Sequence, residues 1–371
     1  MLLAASRMLF PDAREPVPGY LRILDERITE VGVGTPPQSP DEHVDGLVVP
    51  GYVDVHCHGG GGASFVTEDP AVARQAIQAH RSRGVTTMVA SLVSDAIPAL
   101  TRQVGCLAGL VEAGELAGVH LEGPWLSGAH AGAHAPELLC DPEPASVAEL
   151  LDAGRGTVRM VTLAPERPHA MAAITLLRQR GVVAAIGHTD ADFETTQRAI
   201  EAGATGATHL FNAMAPLHHR APGPILALWA DPRVYLELIM DGVHVRPELV
   251  AFVMNDVPDR AVLITDAIAA AGAGDGEYVL GKLPVTVKGG VARVTGTDTI
   301  AGSTLTLDRA VRNAVTAGVP LASAIRSATQ LPADYLGLAD VGRLSVGAFA
   351  DLAVLNEDVE VIRVMRRGHW L

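Results

Sequence analysis

Between residues 48 and 340 the chain alternates short, β-rich apolar runs with longer stretches in which apolar residues recur at helical spacing. Eight runs stand out: Val48–Val55, Val85–Ser91, Gly118–Glu122, Val158–Leu163, Val182–Ile186, Thr205–His209, Val234–Met240 and Ala261–Asp266. Amphipathic or alanine-rich stretches lie between them, among them Pro70–Arg83, Pro168–Arg180, Asp192–Ala202 and Pro247–Asn255. Helix starts carry proline after an acid, as at Asp69-Pro70, and stops fall at Gly84, Gly181, Gly203 and Gly318, an asymmetry that helix termini favour. Eight β–α units in series predict a TIM (β/α)8 barrel over residues 48–340.

The two ends read differently. Gly19–Val31 and Gly347–Val364 are strand-like and helix-poor, with turns at Asp25-Glu26 and Asn356-Glu357-Asp358. They are expected to pair with each other, so that residues 1–47 and 341–371 form a small β-sandwich domain beside the barrel. A further hairpin, Leu283–Val294 with Lys288-Gly289-Gly290 at its turn, interrupts the barrel after the eighth run.

Composition narrows the setting. The 371 residues are 48% hydrophobic and carry a formal charge of −14, which argues against nucleic acid or an anionic membrane as a partner. No run of 18 apolar residues occurs, and the first 16 residues lack a basic segment followed by an apolar one, so neither membrane spanning nor export is expected. Cys57, Cys106 and Cys140 are odd in number and lack CxxC spacing, which fits free thiols in a reducing cytoplasm.

The candidate chemistry sits where a TIM barrel keeps its active site, at the C-terminal ends of the strands. The first run closes in His56-Cys57-His58, and side chains two apart on a strand share a face, so both imidazoles can reach one metal ion. Fourteen histidines in this length give about 0.5 such pairs by chance, so the pair alone is weak. Glu122, His188, His209 and Asp266 fall at four further strand ends. Any one of them alone reads as a structural hydrogen-bonding group. Six together, four imidazoles and two carboxylates, suit a borderline-soft divalent ion such as zinc, one or two per chain. His80, His120 and His369 fit no such pattern, although His120 shares a face with Glu122, and Cys57 points away from the pair. The only lysines are Lys282 and Lys288, so a carboxylated lysine at the end of the fourth strand is excluded and any bridging carboxylate is Glu122.

The segments PGYVDVHCHGG, HLEGPW, IGHTDA, THLFNAM, DGVH and LITDA, in this order, together with the tail GRLSVGAFADLAVL, resemble the N-acetylglucosamine-6-phosphate deacetylase family of the amidohydrolase superfamily. The resemblance runs nearly the full chain. It implies a TIM barrel with a small β-sandwich, a metal-activated water, and removal of acetate from a 6-phosphorylated amino sugar, in amino-sugar catabolism and cell-wall precursor recycling. It also implies Glu122, His188 and His209 as shared metal ligands, and His56 and His58 as a first-strand pair that favours a second ion. Asp266 becomes the catalytic aspartate. His134, in the loop 128–136, becomes the group that contacts the acetamide and assists its carbonyl oxygen. Asn212, the backbone at Ala213, and His244 face the phosphate and sugar, and Arg220 reaches the neighbouring subunit's site in a homodimer. His218 and His219 match no ligand of the family. Two other readings stay open: an amidohydrolase for another N-acyl amine or an N-acyl amino acid, and a non-catalytic metal-binding barrel.

Overall fold

A computed structural model describes residues 1–11 and 13–371. Eight parallel strands pair in chain order: β1 (Tyr52–Cys57), β2 (Val85–Val93), β3 (Gly118–Glu122), β4 (Val158–Leu163), β5 (Val183–Ile186), β6 (Gly206–Ala207), β7 (Tyr235–Ile239) and β8 (Ala261–Ile264). Each is followed by a helix, at Pro70–Arg81, Ile97–Glu112, Pro144–Ala153, Ala170–Gln179, Phe193–Ala202, Gly223–Ala230, Pro247–Asp256 and Leu307–Thr316. The expected (β/α)8 barrel is therefore the fold. Its helix starts follow local chemistry: Asp69 accepts from the Ala71 amide ahead of Pro70, and Asp192 accepts from the Thr195 amide.

The ring closes between β1 and the segment after β8. Cys57 bridges Ala267, the Asp266 amide donates to the His56 carbonyl at 2.9 Å, and the His58 amide donates to the Ala267 carbonyl at 2.8 Å. Beneath these bonds Asp54, fully buried, accepts from the Thr265 hydroxyl at 2.6 Å. The seam that completes the barrel thus carries His56, His58 and Asp266.

The run Val48–Val55, read as one strand, is two. Glu42–Pro50 belongs to a second sheet, and the chain breaks at Pro50-Gly51 before β1 begins. A Cβ at residue 51 would collide with the Thr86 side chain, so glycine is needed at the corner. The second sheet has seven strands in the order His369–Trp370, Val361–Arg366, Leu352–Leu355, Glu42–Pro50, Leu2–Met8, Val17–Leu24, Arg27–Val33. It curls until Arg27 and Ile28 meet Ala348 and Phe349, so the two terminal segments do pair. Val48, Leu352 and Val354 enter this unit's own core, while Leu47, Val49, Ala353 and Leu355 pack on the barrel. Burial on both faces explains why the run reads as continuously apolar.

The late hairpin is a three-stranded sheet, Gly276–Leu280, Leu283–Lys288 and Val291–Val294. It packs through Leu280, Val285 and Ala292 on Val93, Ala133 and Ile268 and so lies over the C-terminal mouth of the barrel.

Asp54→Ala would leave the buried Thr265 hydroxyl with only its longer contact, 3.3 Å, to the His56 carbonyl, and the Thr265 amide without its Asp54 acceptor, at the closing seam. The expected loss is about 1–3 kcal/mol of stability, read as a lower denaturant midpoint with an unchanged slope; a wild-type midpoint would show that the seam does not depend on this contact.

Candidate metal centre

The strands do not run as far as their apolar patterns. β5 stops at Ile186, β6 at Ala207 and β8 at Ile264, and the residues just beyond enter left-handed backbone: His188 at φ 48°, His209 at 31° and Asp266 at 49°. Such angles are unfavourable for residues with a Cβ and persist only where the surroundings hold them. Here they bring the side chains into one buried cluster at the mouth of the barrel.

Glu122 sits at the centre. Its Oε1 lies 3.0 Å from His209 Nε2, 3.2 Å from His188 Nε2 and 3.6 Å from His56 Nε2. Its Oε2 lies 3.1 Å from His58 Nε2 and 3.4 Å from His134 Nε2. Asp266 Oδ1 is 3.2 Å from His58 Nε2 and 3.5 Å from His56 Nε2. The six side chains expected to ligate are thus brought together, in two halves that share Glu122.

Tautomers follow from the outer partners. His56 Nδ1 faces Glu237 Oε2 at 3.0 Å, His58 Nδ1 faces the Ser91 carbonyl at 3.2 Å, and His188 Nδ1 faces the His130 carbonyl at 2.9 Å. Carbonyls and carboxylates only accept, so each Nδ1 donates and each Nε2 turns a lone pair inward. Two of these lone pairs, on His56 and His58, are 3.1 Å apart. Bare lone pairs at that distance repel unless a proton or a metal cation lies between them. In a tetrahedron of ligands at zinc–nitrogen distance, neighbouring donor atoms are about 3.3 Å apart, close to the spacings found here. The residues present therefore fit a divalent metal ion.

The charge balance agrees. Burial opposes ionisation at every one of these groups, yet Glu122 and Glu237 hold the His56 imidazole well above its ordinary value. His58 is likewise raised against its burial by Asp266 and Glu122. Glu122 is pushed well below the carboxylate range against its burial, chiefly by His56, and Asp266, also against burial, goes down to about 2 beside His58 and His56. Both directions state that positive charge is favoured at the centre.

The other expected residues divide. His134 lies in the cluster, but its Nδ1 accepts from the Ser94 amide at 3.2 Å, so its Nε2 carries the proton and faces the cavity as a donor. Burial lowers its pKa to about 4, so that tautomer is neutral. Asn212, Ala213 and His244 line the same cavity of about 420 Å³. His244 Nδ1 donates to Asp241 Oδ2 at 2.7 Å, so its Nε2 carries a proton for the cavity only in the charged imidazole, the form that Asp241 favours. Arg220 lies outside this cavity, against His219 on an exposed loop, and among the described residues the cavity wall holds neither arginine nor lysine. His120 is not in the cluster: its nitrogens are taken by the Ser91 hydroxyl at 2.9 Å and the Thr162 hydroxyl at 2.8 Å. His80 and Cys57 are buried and face each other and the Gly59 carbonyl, with the Cys57 thiol turned from the cluster. All three cysteines are free.

Several groups of the site lie outside the sequence pattern of loaded strand ends. Glu237 was signalled by a charge inside the apolar strand β7, and Asp241 by its place in DGVH. Ser94 and the lip formed by Leu280, Asp298, Thr299 and Ile300 carried no local signal, because the lip is delivered by the inserted sheet.

The model of the Amidohydrolase family matches residues 47–371. Among solved structures, N-acetyl-D-glucosamine-6-phosphate deacetylase from Mycobacterium smegmatis is 50% identical with a TM-score of 0.97, covering 100% of both chains. It has also been solved as an aspartate-to-alanine variant with N-acetyl-D-glucosamine-6-phosphate. The Thermotoga maritima N-acetylglucosamine-6-phosphate deacetylase is 32% identical with a TM-score of 0.90, covering 100% of this chain and 99% of that one. N-acetylgalactosamine-6-phosphate deacetylase of Escherichia coli O157:H7 is 37% identical over 94% of this chain and 93% of its own length. The chain belongs to the amidohydrolase family, and among its members to the N-acetylglucosamine-6-phosphate deacetylases.

The Asp241 carboxylate holds the His244 imidazole above its ordinary value despite the burial that opposes it. The protonated form is thus favoured in the folded protein, and the pair's contribution to stability is complete below about pH 6.5 and lost as pH rises through the folded value. An NMR titration should show His244 titrating above 6.5 and falling in Asp241→Asn; an unchanged midpoint in that variant would remove Asp241 as the cause.

Proposed function

We propose that this chain hydrolyses the acetamide of N-acetyl-D-glucosamine 6-phosphate to D-glucosamine 6-phosphate and acetate. The observation that carries the reading is the Glu122-centred cluster on the floor of a cavity that Asn212, Ala213 and His244 also line. The activity named for the M. smegmatis relative supports the substrate. The relative named for the galacto sugar makes that epimer the second reading.

His56, His58, Glu122, His188 and His209, with Asp266 at the edge, would hold the metal, with Glu122 shared where two ions bind. A divalent ion held there, zinc by its match to these donors, would supply Lewis acidity that makes water a stronger nucleophile near neutral pH and favours the polarised amide carbonyl. Asp266 accepts the proton of the attacking water and passes it to the departing amine. His134 Nε2–H donates to the carbonyl oxygen as negative charge grows there, a contact worth about 3 kcal/mol in comparable sites. His244 Nε2–H, Asn212 and the Ala213 backbone hold the phosphate and sugar. A non-catalytic barrel has no use for a free base, so Asp266 argues against it.

A phosphate calls for a guanidinium or ammonium group that the described residues of this cavity wall lack. Arg220 is proposed to supply it from the second subunit of a homodimer, its planar guanidinium suited to two phosphate oxygens. Leu217, Leu226 and Phe252 are exposed on the same loop and the adjacent helices, an apolar surface that a second copy would cover. The barrel, residues 48–340, is proposed as the catalytic unit and residues 1–47 with 341–371 as its companion. The three free thiols support a cytoplasmic setting.

Acetate release from the gluco and galacto 6-phosphates, free N-acetylglucosamine and an N-acetyl amino acid tests the reading. A phosphorylated sugar should lead the free sugar by roughly 100-fold or more in kcat/KM; faster hydrolysis of the amino acid would overturn it. Asp266→Asn should retain substrate binding while turnover falls by roughly 10²–10⁴-fold, and near-normal turnover would sink its role. Arg220→Ala should lower kcat/KM for the 6-phosphate and barely alter the free sugar. Mixing Arg220→Ala with Asp266→Asn chains should restore activity, because one site per hybrid dimer is intact; no recovery after confirmed subunit exchange would put Arg220 outside the partner's site.

A further inference from the structure

Glu237 is a buried carboxylate that the proposed chemistry does not use. It lies on β7, shows no exposure, and has neither lysine nor arginine as a partner. Its Oε2 takes the His56 Nδ1–H at 3.0 Å, and its Oε1 accepts from the Tyr335 hydroxyl at 3.3 Å. Space for that hydroxyl is made by Gly206 on β6, where a Cβ would collide with the Tyr335 oxygen. An isolated buried carboxylate is costly unless it is paired. His56 is the group it pairs with. The other inward-facing histidines are held less strongly: His58 and His188 donate to neutral carbonyls, and His209 Nδ1 is buried with no partner.

We infer that Glu237 is a positioning residue for the metal centre, acting through His56 alone. By accepting the Nδ1 proton it fixes the tautomer and ring orientation of His56 and makes its Nε2 a stronger donor. It thereby sets metal affinity in the half of the centre built from His56, His58 and Asp266, and leaves the half built from His188 and His209 unchanged. Tyr335, admitted by Gly206, orients the carboxylate. The inference rests on the proposed metal-dependent reading, and the two can fail separately.

The test uses the full-length protein, stripped of metal and titrated with Zn²⁺ against a chromophoric chelator, for wild type, Glu237→Gln, His56→Ala and the double variant. Glutamine keeps the size and an accepting oxygen but not the charge. Glu237→Gln should weaken one class of zinc site by roughly 10–100-fold while the other moves by less than about 3-fold. In the His56→Ala background the same substitution should add nothing, since its partner is gone. Equal weakening of both classes, no weakening, or the same loss with and without His56 would overturn the inference. Should Glu237→Gln fail to fold, as judged by the circular dichroism of the metal-free protein, Tyr335→Phe serves in its place, with a smaller loss in the same class and again none in the His56→Ala background; wild-type affinity in Tyr335→Phe would then count against the chain of contacts. Wild-type protein that binds no zinc would defeat the metal-dependent reading itself, whereas zinc binding insensitive to Glu237 defeats only this inference.

Discussion

Inward-facing imidazole lone pairs and two carboxylates cannot share a buried pocket without positive charge among them. The same bonds that aim Nε2 inward, from Glu237, Ser91 and the His130 carbonyl, forbid those histidines from relieving the repulsion by turning over. The pocket therefore calls for positive charge beyond its neutral side chains, and its donor set is one that a divalent ion can complete. Glu122 can serve both halves because its two oxygens face different histidines, a consequence of its place at the end of β3, midway between the β1 and β5–β6 ends.

Barrel closure and metal binding are coupled by sharing residues. Asp54, Thr265, the His56 carbonyl and the Asp266 amide join β1 to β8, and two of these belong to residues of the metal cluster. Closing the barrel sets the spacing of donors contributed from opposite ends of the chain order. A metal that binds the closed form alone draws the seam together by mass action. The inserted sheet then narrows the mouth, adding an apolar and threonine-bearing lip above donors that the barrel itself supplies.

Much of this was legible in the chain. Parallel strands buried on both faces advertise themselves as apolar runs, and side-chain period places His56 and His58 on one face, so the barrel and most of its loaded strand ends could be read directly. The run from residue 48 reads as one strand because two sheets bury it from different sides. The pattern of β6 runs past the strand because Thr208 and His209 have strand-like composition while the backbone at His209 obeys the cluster rather than the ladder. His120 shows the limit of face arithmetic: it shares a face with Glu122, but one layer deeper, where Ser91 and Thr162 satisfy it. Outer partners such as Ser94 depend on which loops meet in space, and no local pattern encodes that.

The left-handed backbone at His188, His209 and Asp266 has an evolutionary consequence. Glycine would sit more comfortably at all three angles, so a change to it there would cost the fold little while removing the chemistry. Relaxed selection on the chemistry would erase the site at these positions first, leaving a sound barrel. In a descendant of this chain, loss of function would therefore be recorded at the turns after β5, β6 and β8 long before it reached the strands.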